Sequence, residues 1–269
     1  MVGNANHGGG RMKYVNQIKK IFSECPDIQD FAYKKTKFDV FYFRHLQEEE
    51  IVQYISVDIL PGNRSFEVNF GAGAYADAIT SEGGMLSIGG WVLSEYLDRQ
   101  NIPNTHSTES VLIPYSVDVF CDQLRQMLAL FAQYALPDLR EVESVATLFT
   151  YRQKMDTICY GRIMENEWFL WEAIETNHWD EAEQAIQGQL AYENAFLSSV
   201  GGCTKDYYDL LVENGLENGR IAQSYRQVAQ LLRLKDMIGR RDKELYPILS
   251  ERKEISRRTC ACFFGEQLK

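Results

Sequence analysis

Three strand-like runs stand in succession between Phe38 and Ala76, and they constrain the fold of this chain more than any other feature. The first is Phe38-Asp-Val-Phe-Tyr-Phe-Arg-His-Leu46. In the second, Ile51 to Leu60, the residues Ile51, Ile55, Val57 and Ile59 share one parity. In the third, Phe66, Val68 and Phe70 alternate with Ser65, Glu67 and Asn69. Alternation of period two marks a strand with one buried face. The connections, Gln47-Glu-Glu-Glu50 and Pro61-Gly-Asn-Arg64, are short and polar, which predicts an antiparallel meander. Gly71-Ala-Gly73 closes the third strand as a bulge or a place where another backbone comes close.

Helical spacing surrounds this core. Val15, Ile18, Ile21, Phe22 and Cys25 predict a helix over Met12 to Cys25, ended by Pro26. Trp91 to Arg99 reads as a short helix. Glu109 to Tyr115 reads as a fourth, edge strand, because Pro114 cannot donate to a ladder. Ser116 or Asp118 caps a helix with a buried stripe of Phe120, Leu124, Met127, Leu128 and Phe131, ending at Leu136-Pro137. Everything beyond Pro137 has helical period. One helix runs through Val142, Val145, Phe149 and Arg152 to Gly161, and a second carries Trp168, Trp171 and Ile174. A third runs from Ala182 through Ile186, Leu190 and Leu197 to Val200, stopped by Gly201-Gly202. Thr204 caps the next, with Tyr207, Leu210 and Leu211, and Ile221, Tyr225, Val228, Leu232 and Ile238 mark a long one. Pro247 breaks that helix or starts another. The expected fold class is α+β: an antiparallel meander with flanking helices at 12–140, then an all-helical module at 141–269 packed on it, with residues 1–11 a flexible tail before a natural start at Met12.

Composition narrows the function classes. No run approaches the roughly 20 apolar residues of a membrane span, and the first residues carry no apolar signal segment. The six cysteines are widely spread and read as reduced thiols, which predicts a cytoplasmic protein. Cys260 and Cys262 lack the further ligands that zinc demands, so no metal or cofactor is expected. A net charge of −10 argues against nucleic acid as a partner. That charge is segregated. From Glu165 to Glu217 twelve carboxylates face only Lys205, whereas from Arg233 to Arg258 nine cations face five acids.

Candidate chemistry is sparse. His7, His45, His106 and His178 are scattered, and no spacing gives any of them an orienting partner and a nucleophile. Asp58 and Glu67 form a possible carboxylate pair on neighbouring strands, but alternation alone puts acids on a solvated sheet face. Gly71-Ala-Gly73 and Gly83-Gly84 do not match a phosphate loop; turn chemistry accounts for them. Trp168, Trp171 and Trp179 lie inside the acidic segment. They read either as a seam between the modules or as aromatic anchors ringed by carboxylates, a combination suited to a basic protein surface.

The order of a short helix, Phe38-Asp-Val-Phe-Tyr-Phe, an Ile/Val strand, Phe66-Glu-Val-Asn-Phe-Gly71 and a helix ending in Leu136-Pro137 resembles an uncharacterised bacterial family of unknown function, small α+β modules, over about residues 12–140. The resemblance implies a short cytosolic bacterial protein of the kind found near toxin-immunity and defence systems, and it transfers no catalytic residue. The expected function is non-enzymatic: a protein–protein interaction factor, immunity- or antitoxin-like, whose acidic face comprises Trp168, Trp171, Glu172, Glu175, Trp179, Asp180 and Glu183. The alternative is an enzyme or small-ligand binder with its site where the modules meet. Open meander edges leave homo-oligomers as a further option.

Overall fold

A computed structural model describes residues 7–35, 40–60, 65–82, 85–104, 111–112, 117–159 and 167–265. The meander is present in the expected order: β2 (Val40–Leu46), β3 (Ile51–Leu60) and β4 (Ser65–Ala74) are antiparallel neighbours, preceded by β1 (Ala32–Lys35) on the outer side of β2. Register is fixed by the apolar parity, with Ile55 opposite both Tyr42 and Phe70, and Val57 opposite Val40 and Val68. Beyond β4 come a small hairpin of β5 (Ser81–Glu82) and β6 (Met85–Leu86), then β7 (Trp91–Val92) and β8 (Val111–Leu112); β8 pairs with the start of β4 and β7 with its middle. The strand expected at Glu109 to Tyr115 is thus represented by β8, its other residues lying outside those described. β1 escaped the sequence reading because four residues rich in lysine do not display a period.

Ten α-helices complete the described residues. The first, α1 (His7–Glu24), begins five residues before Met12. Helix α2 (Leu93–Arg99) follows β7. Helix α3 (Val117–Leu130) and the turn after it bury all five predicted stripe residues, Phe120, Leu124, Met127, Leu128 and Phe131. The helical path does not end at Pro137. A widened turn at Phe131–Ala135 makes room for the proline, which has no N–H and crowds the carbonyl four residues back, and α4 (Leu136–Arg140) continues from it. The helical module comprises α5 (Val145–Cys159), α6 (Glu167–Glu175), α7 (Trp179–Ser199), α8 (Lys205–Glu213), α9 (Arg220–Gly239) and α10 (Leu245–Phe264). Gly201 and Gly202, both at positive φ, stop α7, and the Gly202 N–H donates to the Leu197 carbonyl at 2.7 Å. Pro247 lies in the first turn of α10 and does not break α9. Residue 161, expected as a helix stop, lies outside the described residues.

The sheet is covered on both faces. One face, with Val40, Tyr42, Ile55, Val57, Phe66, Val68 and Phe70, packs on α1, α2 and α3, and its apolar cluster continues without interruption into α5, α6, α7, α9 and α10. The other face carries Phe41, Phe43, Val52 and Tyr54 under α10, with Cys260, Phe263 and Phe264 upon them. The chain near residue 140 is itself tied to the sheet, because the buried Gln53 Nε2 donates to the Val142 carbonyl at 2.8 Å. Gly71 is a point of close backbone approach: a Cβ there would lie 2.7 Å from Gly90 Cα and 2.9 Å from Tyr54 Cε1.

Candidate functional site

The strongest concentration of charge lies where β4 leaves the sheet. The 3-10 turn Tyr75–Asp77 buries Asp77, whose carboxylate accepts the Ala74 N–H at 2.8 Å. Arg152, entering from α5, donates through Nη2 to Asp77 Oδ2 at 3.1 Å and to the Ala72 carbonyl at 3.0 Å. Its Nη1 sits 2.6 Å from Glu172 Oε1 of α6. All three side chains are buried, with Arg152 and Glu172 at 2% and 0% exposure. Burial pushes the Glu172 carboxyl well above the usual carboxylate range, against the pull of Arg152 and aided by repulsion from Asp77. Burial also raises Asp77, though Arg152 and the Ala74 N–H oppose it. Burial thus opposes ionisation of both carboxyls, while the single guanidinium between them favours it.

A second layer of ions closes over this pair. Lys253 of α10 bridges Glu50, in the β2–β3 turn, and Glu175 of α6, the latter at 2.7 Å. Arg257 reaches Glu50 at 2.8 Å and Glu254 at 2.7 Å. Arg252 donates to the Ala76 carbonyl at 3.0 Å and lies 4.6 Å over the Trp171 ring. The buried Ser256 donates to the Tyr75 carbonyl at 2.7 Å and accepts from the Ile79 N–H at 2.6 Å. One short turn after β4 is therefore held by three helices.

This arrangement redistributes the residues expected on an acidic face. Trp171 and Glu172 are buried, and Glu175 is half-buried and paired with Lys253. Trp179 is half-buried against the core, Asp180 is exposed and Glu183 is half-exposed. The side chain of Trp168 lies outside the described residues. The anticipated face is thus not one surface, and the reason is α6: Phe169, Leu170, Trp171, Ala173 and Ile174 are all buried, and Glu172 and Glu175 meet cations within the fold. The sequence contained that signal, since a helix apolar all round is an interior helix.

Besides Asp180 and Glu183 on α7, outward acids sit on α8 and the turn after it. The N-cap of α8 is the expected one, with Thr204 Oγ1 accepting the Tyr207 N–H at 3.2 Å. Yet α8 buries no residue. Tyr207 and Leu210, one turn apart, are 40% and 51% exposed, with Val212 at 43% and Leu216 at 55% beyond them. Asp206, Asp209, Glu213 and Glu217 surround these side chains, and none makes an ion pair with a described residue. The inner side of α8 rests on α9 through Tyr208 stacked on Tyr225, 4.9 Å between centroids. Sequence periodicity did not distinguish that inner side from Tyr207 and Leu210.

Other candidates have ordinary places. His45 Nε2 is 2.9 Å from the Tyr75 hydroxyl and its ring stacks on Phe264, and His178 stacks on Phe149. The side chain of His7 and all of His106 lie outside the described residues. Asp58 faces Glu67 across two strands and accepts Asn69 Nδ2 at 2.8 Å. All six cysteines are free, Cys260 buried and Cys262 exposed, and no metal-ligand cluster exists among the described residues. A recess of about 260 Å³ lies between α1 and the β1–β2 edge, lined by Lys19, Phe22, Tyr33 and Tyr42 among others. No helix among the described residues is long and apolar enough to cross a membrane. No family model, no curated protein and no solved structure matches the chain.

Proposed function

We propose that this protein acts by binding another protein through the α8 end of its helical module, as an interaction factor of the immunity- or antitoxin-like class working in the cytoplasm. The observation that carries the reading is α8 itself: a capped helix whose apolar residues Tyr207 and Leu210 face outward, with no residue of the helix buried. Apolar side chains ringed by unpaired carboxylates suit a partner that offers an apolar ridge flanked by lysine or arginine. The apolar contact supplies affinity, and the carboxylates speed encounter and set orientation. The resemblance of residues 12–140 to small bacterial modules agrees with such a role, the sheet then serving as the frame on which the helices are mounted.

The test is affinity capture from cells of the source organism with the wild-type chain and a Tyr207→Ser, Leu210→Ser double variant. The expected result is a protein retained by wild type at about 0.1 M salt, lost at about 0.5 M as screening shortens the reach of charge, and lost from the variant at either concentration. Equal recovery by both chains overturns the reading.

A further inference from the structure

The surface that complements α8 lies on the same chain, at the opposite end of α9. Arg233, Lys235, Arg241 and Lys243 are on the surface there, and none makes an ion pair with a described residue. Arg240 engages Asp236 at 2.8 Å and Asp242 at 3.6 Å, so it already answers the nearby acids, leaving Glu244 the only other carboxylate among residues 233–246. Apolar side chains accompany these cations: Leu232 is 54% exposed and Tyr246 46%. The cations of the near end of α9 are occupied differently, since Arg220 pairs with Glu193 at 3.0 Å and Arg226 donates to the Glu217 carbonyl at 2.7 Å.

Within one molecule the two patches cannot meet. α8 is pinned to Tyr225, and the helical rise places the cations from Arg233 to Arg240 roughly 12 to 22 Å further along α9. That separation exceeds the screening length of about 8 Å at physiological salt, so the charges at the two ends do not neutralise one another. Resting on the reading that α8 is a binding surface, we infer that its occupant is a second copy of this chain, which seats its Arg233–Tyr246 end against Tyr207 and Leu210. The contact is heterologous, so each bound copy still presents one free end, and association continues into a chain of copies or closes as a ring. Opposite charge sets the polarity: acid end to acid end and base end to base end are both repelled.

Sedimentation velocity of the full chain over rising concentration, at about 50 mM and about 500 mM salt, reads this directly. Wild type is expected to pass from monomer to larger species at low salt and to remain monomeric at high salt. An acid-end variant (Asp209→Lys, Leu210→Ser) and a base-end variant (Arg233→Glu, Lys243→Glu) are each expected to stay monomeric at low salt. Mixed together they should form a one-to-one complex, because each retains the end that the other has lost. A chain carrying Asp209→Lys, Glu213→Lys, Arg233→Glu and Lys243→Glu, with the apolar residues intact, should associate with itself again. This regain also shows that the reversals leave the fold whole. A wild type that stays monomeric throughout, or single-end variants that associate as wild type does, would overturn the inference. The two readings fail separately: a monomeric wild type that still captures a different protein through Tyr207 and Leu210 removes the second copy as occupant and keeps the binding surface.

Discussion

Replacing Arg152 by methionine isolates the energetics of the junction. The new side chain has similar reach and no charge. It leaves Asp77 and Glu172 facing one another in the interior, and the Ala72 carbonyl loses the donor at 3.0 Å. Removing one member of a buried ion pair costs about 3–5 kcal/mol, because the other member stays desolvated and uncompensated. An unsatisfied buried carbonyl costs about 1–3 kcal/mol more. Protonation of both carboxyls relieves part of this, so the expected loss is about 4 kcal/mol, a large share of the ~5–15 kcal/mol of a typical fold. Urea unfolding followed by far-ultraviolet dichroism and by tryptophan fluorescence measures it; Trp171, under Arg252, reports from the junction itself. The triple variant Asp77→Asn, Arg152→Met, Glu172→Gln should recover at least half of the loss, since its buried groups are neutral and the amide oxygen introduced by Asp77→Asn can still accept the Ala74 N–H. A loss below about 1 kcal/mol for Arg152→Met would refute the account, because only a solvated ion pair is worth so little.

Three further outcomes follow from the same structure. Glu172 has its folded-state pKa raised above the unfolded value of about 4.3, so its contribution is fully present below that pH and falls by about 1.4 kcal/mol per unit as pH rises toward the folded value; Glu172→Gln cannot ionise, so its stability relative to wild type should increase from pH 5 to pH 8, and parallel profiles in denaturant titrations would count against a buried protonated carboxyl. Gly71→Ala places a Cβ 2.7 Å from Gly90 Cα and should cost about 1–3 kcal/mol in thermal unfolding through backbone overpacking. Thr204→Ala removes the N-cap of α8 and should cost that helix about 1 kcal/mol, visible as faster amide exchange in Lys205–Glu213 with the global transition unmoved.

What the sequence disclosed divides along physical lines. Parity exposed β2, β3 and β4 as strands, since Ile55, Val57, Phe66, Val68 and Phe70 recur at period two on the face toward α1, α2 and α3. The 3.6-residue stripe of α3 was equally plain, and Thr204 and Gly201-Gly202 marked helix ends by their own chemistry. Pairings that depend on distant segments were not legible. Arg152 stood in a helical pattern with nothing to show that it meets Asp77, 75 positions earlier, and Glu172 looked like one more member of an acidic run. Charge counted along the chain registers density and not direction, so it merged the inward carboxylates of α6 with the outward ones of α8. The second covered face of the sheet was hidden for the same reason, because Phe41, Phe43 and Tyr54 are covered by α10, the last helix among the described residues.

The difference between those two sets of acids is itself informative. A buried ion pair adds little net stability compared with apolar packing of equal volume. What the junction achieves is selectivity of docking: α5 supplies Arg152, α6 supplies Glu172 and Glu175, α10 supplies Arg252, Lys253 and Arg257, and the turns of the sheet supply Asp77 and Glu50. Shifting any of these helices by one residue strands a charge away from water, so the helical module has one favourable seat on the sheet. Nothing comparable restrains α8, whose carboxylates and apolar side chains find no counterpart within the described residues and gain nothing for the monomer by being outward. Unlike the acids of α6, they answer no charge inside the fold. On the proposed reading, a helix capped at Thr204 and stacked through Tyr208, yet apolar on its open side, gains its counterpart from a second surface.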